Sequence, residues 1–515
     1  MSKYLKLFET TSQYNEYITS INVVLPNVSV AKDALTTVYF NPYDYSEDYL
    51  TLSALEDGEI TITIPSDVNA THATYLSYSK DKSNWVETTI DSTNQTITIP
   101  VSAGEDVYLK GEAKQWSVNT YPMYSMNINS TANIIVSGNI MSLLYGDDFK
   151  GKTTFPEGST HNFRSLFKDN THLISAENLI LPATTLTEQC YGNMFYGCSS
   201  LTTAPELPAT TLAPNCYNGM FQGCTSLTTA PELPATTLAE WCYGGMFKDC
   251  TSLATAPELT ATTLKMYCYD SMFQNCTALT TAPAFSATTL APGCCSNMLR
   301  DCTSLTTAPA LPATTLKIYC YKYMFSGCTA LTTAPELPAN TLAKQCYNGM
   351  FQGCTSLTTA PELPATTLAP NCYDSMFQNC TALTTAPALS ATTLAPNCCS
   401  NMLRDCTSLT TAPELPATTL QSYCYQHMFY GCTSLTTAPE LPANTLANYC
   451  YSEMFRKCTS LNNITMLATN ISATDCLNQW VNGVASSGTF TKATSMTSLQ
   501  NGNSGIPSGW TVIDK

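Results

Sequence analysis

Charged side chains are scarce in this sequence: Asp, Glu, Lys and Arg together make up 12% of its 515 residues, about half the usual share. Cations are the scarcest. Twenty-two Lys and Arg stand against 38 Asp and Glu, a net charge of −16, and nowhere do they gather into a run. Holding a phosphate backbone takes clustered cations, so nucleic acid is not an expected partner. Only four His are present, and the cysteine series holds no pairs two to four residues apart with a matching second pair, the usual zinc spacing. No metal and no cofactor are therefore expected. No apolar run reaches 18 residues, so no helix would span a bilayer. The opening "MSKYLKLFETTSQYNEYITS" lacks the apolar stretch and cleavage pattern of a secretory signal.

Catalytic strings are missing too. The G-x-S-x-G elbow, the G-x-G-x-x-G turn and H-E-x-x-H do not occur. One nucleophile–base combination remains, His427 with Cys424 and Cys432, and both cysteines belong to a structural pattern described next. Hence no enzyme is expected.

Cysteine, by contrast, is plentiful, with 25 residues. Twelve of them, from Cys190 to Cys476, recur every 26 residues without a slip, and a second series from Cys198 to Cys458 follows eight residues behind. The 24 residues from Cys216 to Ala239 return letter for letter at Cys346 to Ala369, five periods later. A fixed period of this length marks units that stack, each burying a face it could not bury alone. Between Leu201 and Leu227, the run through Pro205 and Pro208 excludes a helix interior and reads as extended. The apolar set Cys216, Tyr217, Met220, Phe221 and Cys224 has i, i+4, i+8 spacing and reads as a short helix-like segment of α or 3₁₀ type. Cys216, Phe221 and Cys224 in one coil, and Cys242, Phe247 and Cys250 in the next, are the expected core ladder. The thiols serve there as small hydrophobes, and two cysteines eight residues apart on one helix would be too distant to bridge.

Two coils, both "CCSNMLRDC", replace Tyr by Cys and Phe by Leu together at Cys294 and Cys398. Neighbours in one packed layer would be expected to change together in this way. The preceding "CYDSMFQNCTALTTAPA" recurs at the same 104-residue offset, so the chain has grown by duplication of whole coils. The first coil, "FRSLFKDNTHLISAENLILPATTL", has Asn170 in place of a cysteine and is two residues longer, as a capping repeat would be. At the far end, "TDCLNQWVNGVASSGTF" reads as one amphipathic helix and "GIPSGWTVID" as a closing strand, with Trp480 and Trp510 covering the last layer.

The recurring "MFxGCTSLTTAPELP" resembles the BspA-like leucine-rich repeats, which implies a short strand and an irregular convex segment per coil, and adhesion to cells or polymers at a surface. Ala204-Pro205 stands where many members carry an isoleucine strand core, so the ladder on that face is expected to be irregular. Ahead of the repeats, "EITITIP", "TYLSYS", "WVETTI", "TITIPV" and "DVYLKG" alternate apolar and polar residues as strands of a small β-sandwich do. Residues 1–47 are similar to the N-terminal segments of tail and fibre proteins of phages infecting gut Bacteroidales, which implies attachment to a virion.

The expected fold class is therefore α+β, mostly β: a leucine-rich-repeat solenoid of 26-residue coils (161–462) with a C-terminal cap (463–515). Ahead of it come an N-terminal attachment segment (1–47), a small Ig-like β-sandwich (48–113) and a connector with the N-terminal cap (114–160). Variation concentrates just before each first cysteine, where Trp241, Tyr267, Tyr319, Tyr423 and Tyr449 would line one edge. They are the candidate ligand-binding residues, as a platform for sugar rings; the alternative is that they lie flat and seal the surface. Glu206, Glu232, Glu258, Glu336, Glu362, Glu414 and Glu440 share another register, as a solvated stripe or, in a sharper reading, a calcium ladder. The function expected is a non-enzymatic fibre-type protein on the virion surface, made in the bacterial cytoplasm. It would bind other virion proteins through its N-terminal segment and a host surface glycan or protein through the repeats, with homo-oligomers as a further arrangement. The alternatives are a decoration protein that binds other virion proteins and a bacterial surface adhesin.

Overall fold

The computed structural model describes residues 5–7, 37–39, 44–118 and 124–515. Most of the segment 1–47 thus lies outside the described residues. Within it, β1 (Leu5–Leu7) pairs antiparallel with β2 (Thr37–Tyr39).

The alternating segments form strands. In chain order these are β3 (Leu50–Ala54), β4 (Gly58–Ile64), β5 (Ala73–Ser79), β6 (Val86–Thr89), β7 (Gln95–Val101), β8 (Asp106–Ala113), β9 (Ser117–Val118), β10 (Tyr124–Ser125), β11 (Asn127–Ser130) and β12 (Ile134–Asn139). A single turn of helix, α1 (Ser142–Tyr145), and then β13 (Leu173–Ile180) follow. One sheet runs β13-β12-β3-β8-β5-β6 and a second β11-β4-β7. Every second residue of β4 is buried, as the Ile-Thr alternation requires. Leu50, Leu52, Val107 and Leu109 of the large sheet and Ile60, Ile62, Ile64 and Ile99 of the small one belong to a single core. The sheets do not stop at residue 113. β12 pairs antiparallel with β3 on one side and parallel with β13, inside the first repeat, on the other.

In the repeats, the residues around each cysteine form no helix. Among the described residues the only α-helix is α1. From Cys216 to Cys224 the backbone is instead a chain of turns in which every fourth residue is left-handed: Asn215 (φ 56°), Gly219 (61°) and Gly223 (78°). Hydrogen bonding alternates with it. Cys216, Asn218, Met220, Gln222 and Cys224 donate N–H to the carbonyl three residues back, whereas Asn215, Tyr217, Gly219, Phe221 and Gly223 donate to residues 240, 242, 244, 246 and 248 of the next coil, at 2.8–3.1 Å. A helix keeps every amide bond to itself. Here half of them tie one coil to the next, which is why an i, i+4 apolar pattern came out as stacked turns. The expected C-terminal helix is corrected for the same reason: Asp475, Gln479 and Gly483 are left-handed, and residues 474–483 form one more coil.

The extended side of each coil behaves as its prolines dictate. Where "APELP" recurs, neighbouring coils share only isolated parallel bridges, such as Thr229↔Thr255 and Thr307↔Thr333, because Pro has no N–H to continue a ladder. Where the prolines give out, strands appear: β13 at the first coil, then β14 (Asn463–Met466), β15 (Thr489–Lys492) and the closing β16 (Thr511–Asp514), the last three forming a parallel sheet.

Cys216, Phe221, Cys224, Cys242, Phe247 and Cys250 are fully buried. Phe221 and Phe247 stack at 5.6 Å and 2°. All 25 cysteines are free and buried. The second cysteine of each coil is more than filling: Cys250 Sγ donates to Phe221 O at 3.1 Å, and the bond recurs from Cys198 to Cys458. In the first coil Asn170, also fully buried, bonds back to Ile128 O instead.

Both ends of the stack are closed by other parts of the chain. The first coil points carbonyls at a neighbour that does not exist, and the sheets ahead of it supply the donors. Trp116 N reaches Asn162 O (3.2 Å) and Ile128 N reaches Leu166 O (2.7 Å). Ser117 Oγ reaches Arg164 O (3.2 Å) and Asn127 Nδ2 reaches Lys168 O (3.0 Å). At the far end, Val481 N donates to Asn503 O and Gln479 N to Ser504 Oγ. Trp480 is fully buried and Trp510 nearly so.

Candidate functional site

Because each coil is left-handed at the residue before its first cysteine, the five candidate aromatics all occupy that conformation: Trp241 (φ 55°), Tyr267 (54°), Tyr319 (61°), Tyr423 (60°) and Tyr449 (55°). Bulky side chains rarely sit there, and such a conformation costs of order 1–3 kcal/mol unless the surroundings impose it. Other coils fill the same position with Asn215, Gly293, Asn371 or Asn397, which tolerate it better. Aromatic choice at this row thus runs against backbone preference.

The structure brings four of the five together as two pairs and leaves Tyr319 apart. Trp241 and Tyr267 stack at 4.5 Å and 24°, Tyr423 and Tyr449 at 4.7 Å and 5°. Each ring leans onto the same row of the following coil. A β-carbon on Gly293 would collide with the Tyr267 ring, and one on Gly349 with the Tyr323 ring. The ring normals therefore run along the stack, and the faces are largely used up by neighbours. What these half-buried aromatics turn outward is mainly ring edge.

Cations gather beside tyrosines of the same outer surface. Lys322 Nζ lies 5.5 Å from the Tyr319 ring and 5.4 Å from that of Tyr323. Tyr430 is flanked by Arg404 at 4.6 Å, Lys457 at 5.2 Å and Arg456 at 5.9 Å. His427 stands edge-on to Tyr430 and 3.6 Å from Glu453, which also takes Arg456 at 2.8 Å. Burial holds the His427 imidazole below the ordinary histidine range, with Glu453 pulling the other way. Cys424 is fully buried, and Cys432 Sγ donates to Leu403 O. Burial pushes the Cys250 and Cys302 thiols up to about 12 and those of Cys424 and Cys432 well above the ordinary range, far from the thiolate that nucleophilic chemistry needs.

The family described as "BspA type Leucine rich repeat region" matches residues 165–306, 294–428 and 400–479, more than half of the chain. The chain belongs to the BspA-type leucine-rich repeat family. No curated protein and no solved structure matches it.

The rest of the surface of this BspA-type chain carries the other sequence candidates. The glutamate row is exposed, and Glu440 pairs with Lys515 at 2.7 Å. Among the described residues no three His, Cys, Asp or Glu side chains are grouped so as to hold a metal ion. A cleft of about 750 Å³ opens between β5, the end of β8 and the segment after α1, lined by His72, Tyr75, Glu112, Lys114, Tyr145 and Asp148 among others. Nearby, Tyr49 donates to Asp147 at 2.6 Å, and burial with that carboxylate raises its phenol to about 12. The letters "GDDFKGKT" from Gly146 have the spacing of a phosphate-binding loop, but such a loop needs a strand before it and a helix after it. Here α1 precedes it, a 3₁₀ turn Gly146–Phe149 opens it, and irregular chain follows.

What reading the sequence missed is the four-residue rhythm of Asn, Gly and Asp at the left-handed positions. It is visible in "NCYNGMFQGC", where Asn215, Gly219 and Gly223 fall at those positions, and it distinguishes stacked turns from a helix of 3.6-residue period.

Proposed function

We propose that this protein is a non-enzymatic recognition protein displayed on a phage virion, with its repeats forming a solenoid that adheres to a host surface glycan or protein. An Ig-like sandwich ahead of them joins the repeats to the segment that attaches to the particle. One observation carries the recognition half of this reading: interior positions repeat almost unchanged from coil to coil, while the outer left-handed rows hold side chains as different as Gly, Asn, Tyr, Trp, His and Glu. A fixed interior with a varied, repeated exterior suits a broad contact made of many weak interactions, to which several copies per particle add avidity. The BspA-type repeats are consistent with adhesion at a surface. The virion half rests on the resemblance of residues 1–47, and free buried thiols agree with assembly in a reducing cytoplasm.

The test is to label purified particles with antibody to the repeats and to measure binding of the full-length protein to intact host cells. Labelling outside the particle and saturable cell binding are expected. Particle labelling without cell binding would favour a decoration role, and the protein's presence on uninfected cells an adhesin of the bacterium itself.

A further inference from the structure

The two altered coils point to the chemistry of the ligand. In "CCSNMLRDC" the residue ahead of the last left-handed position is an arginine, Arg300 or Arg404, 104 residues apart. Each guanidinium lies over a tyrosine of the following coil, Arg300 at 5.7 Å from Tyr323 and Arg404 at 4.6 Å from Tyr430. Further cations join them: Lys322 at the first, Arg456 and Lys457 at the second. The carboxylates in the same clusters are Asp301 and Asp405, each 3.3 Å from the Nε of its neighbouring arginine, Asp374, whose charge also acts on Tyr323, and Glu453 on Arg456. That makes two cations against two carboxylates at the first cluster, one of them the largely buried Asp374, and three against two at the second. The second is locally positive on a chain of net charge −16, and in the first Asp374 is mostly buried with its carboxyl pushed up by that burial, which leaves the two cations as the outward charges.

A guanidinium resting on an aromatic ring is held by its face and keeps its in-plane N–H donors for an oxyanion. The Nε of Arg404 donates to Asp405 at 3.3 Å and its Nη1 reaches Asn401 at 3.4 Å, whereas the Nε of Arg300 lies 3.3 Å from Asp301 but is buried without a hydrogen-bond partner among the described residues. The side chains of Arg300 and Arg404 remain 42% and 33% exposed. Stacking of neutral sugars, by contrast, finds few free ring faces, since Trp241 and Tyr267, like Tyr423 and Tyr449, cover one another.

We infer that the Arg300–Lys322–Tyr323 and Arg404–Arg456–Tyr430 clusters bind the anionic groups, carboxylate or sulfate, of an acidic glycan. This rests on the adhesion reading above and names its ligand class. The clusters are four coils apart, roughly 19 Å at ~4.8 Å per coil, so a single extended polyanion spanning that distance engages both and gains avidity.

The experiment measures binding of the full-length protein to polygalacturonate and to dextran sulfate, with fully methyl-esterified polygalacturonate and plain dextran as uncharged counterparts. Binding to at least one polyanion is expected, weakening steeply with added salt; which one binds separates carboxylate from sulfate recognition. Arg300→Gln with Arg404→Gln should lower affinity about tenfold, equivalent to about 1.4 kcal/mol, and Arg456→Gln with Lys457→Gln should act in the same direction. Wild-type affinity in both double variants, or equal binding of charged and uncharged polymers, overturns the inference. If the protein binds only uncharged polymers or cells, the acidic-ligand assignment fails and the adhesion reading stands. If it binds neither polymers nor cells, both fail.

Discussion

A cysteine in this stack does two jobs with one atom: it fills a small gap in the core and gives the preceding coil a weak S–H···O bond, as from Cys250 to Phe221 O at 3.1 Å. Truncating it should leave a small cavity and remove that bond, so Cys250→Ala is expected to lower stability by about 1–2 kcal/mol in thermal unfolding. The same burial makes the thiols inert. A thiol reagent should find none of the 25 sulfurs in the native protein within minutes and all of them in denaturant. His427 shows the opposite strain, since its imidazole is half-buried with its pKa lowered by desolvation and it occupies a left-handed position (φ 54°). The unfolded chain, with an ordinary histidine pKa near 6.5, takes the proton first, so stability contributed above that pH is lost as acid is added. His427→Asn suits the backbone better. It should raise the melting temperature at pH 7 and reduce the loss on going to pH 5. An equal acid shift in wild type and variant would exclude His427 as its source.

At the scale of the coil, the left-handed rows set a rule between neighbours: the side chain of one coil lies over the same row of the next. At several places where the leaning residue is large, the next position is glycine (Tyr267 to Gly293, Tyr323 to Gly349, Asp405 to Gly431) or a stacking partner (Trp241 to Tyr267); elsewhere it is a polar side chain, as from Tyr319 to Gln345. Gly293→Ala should therefore cost the left-handed penalty of about 1–2 kcal/mol and a collision as well. Tyr267→Asn in the same chain should recover the collision part alone. Gly104 is also left-handed but has open space around it, so Gly104→Ala reports the backbone penalty by itself. A double variant no more stable than Gly293→Ala would mean that the ring and the glycine are not coupled. On the opposite side of the coil, Pro205 and Pro208 withhold two amides, which keeps that face to isolated bridges while β13 and β14 to β16 form at the proline-poor ends.

Across the whole molecule the turns around the cysteines have a direction: their inter-coil amides point to the following coil and the carbonyls they meet point back, whereas on the extended side amides such as Thr202 N and Ala254 N donate to the preceding coil. The paired sheets are thus a lid on the carbonyl end, contributing Trp116, Ser117, Asn127 and Ile128 as donors, and residues 503–504 serve the amide end. Since each coil meets only its neighbours, removing one full period should be tolerated and removing half a period should not. Deletion of 346–371 should give a folded protein with a slightly lower melting temperature by circular dichroism. Deletion of 346–358 should unfold or aggregate, because it sets Cys and Phe of one coil against Pro and Thr of the next. Equal behaviour of the two deletions would rule out a nearest-neighbour stack.

The 26-residue period, the buried Leu, Cys, Met and Phe rows, the proline-limited side and the strands of the N-terminal sheets were all legible in the letters, because each follows from local spacing and side-chain chemistry. Three things were decided only in three dimensions. Half of the amides around each cysteine bond across coils, so a pattern compatible with a helix became turns. Four of the five candidate aromatics turn their faces to one another, which depends on how each side chain leans over the next coil. The sheets ahead of the repeats close the first coil through β12 and β13, a pairing between segments whose sequences say nothing about each other. Local pattern states which side chains must leave water; it does not state which distant backbone groups will satisfy one another once they do.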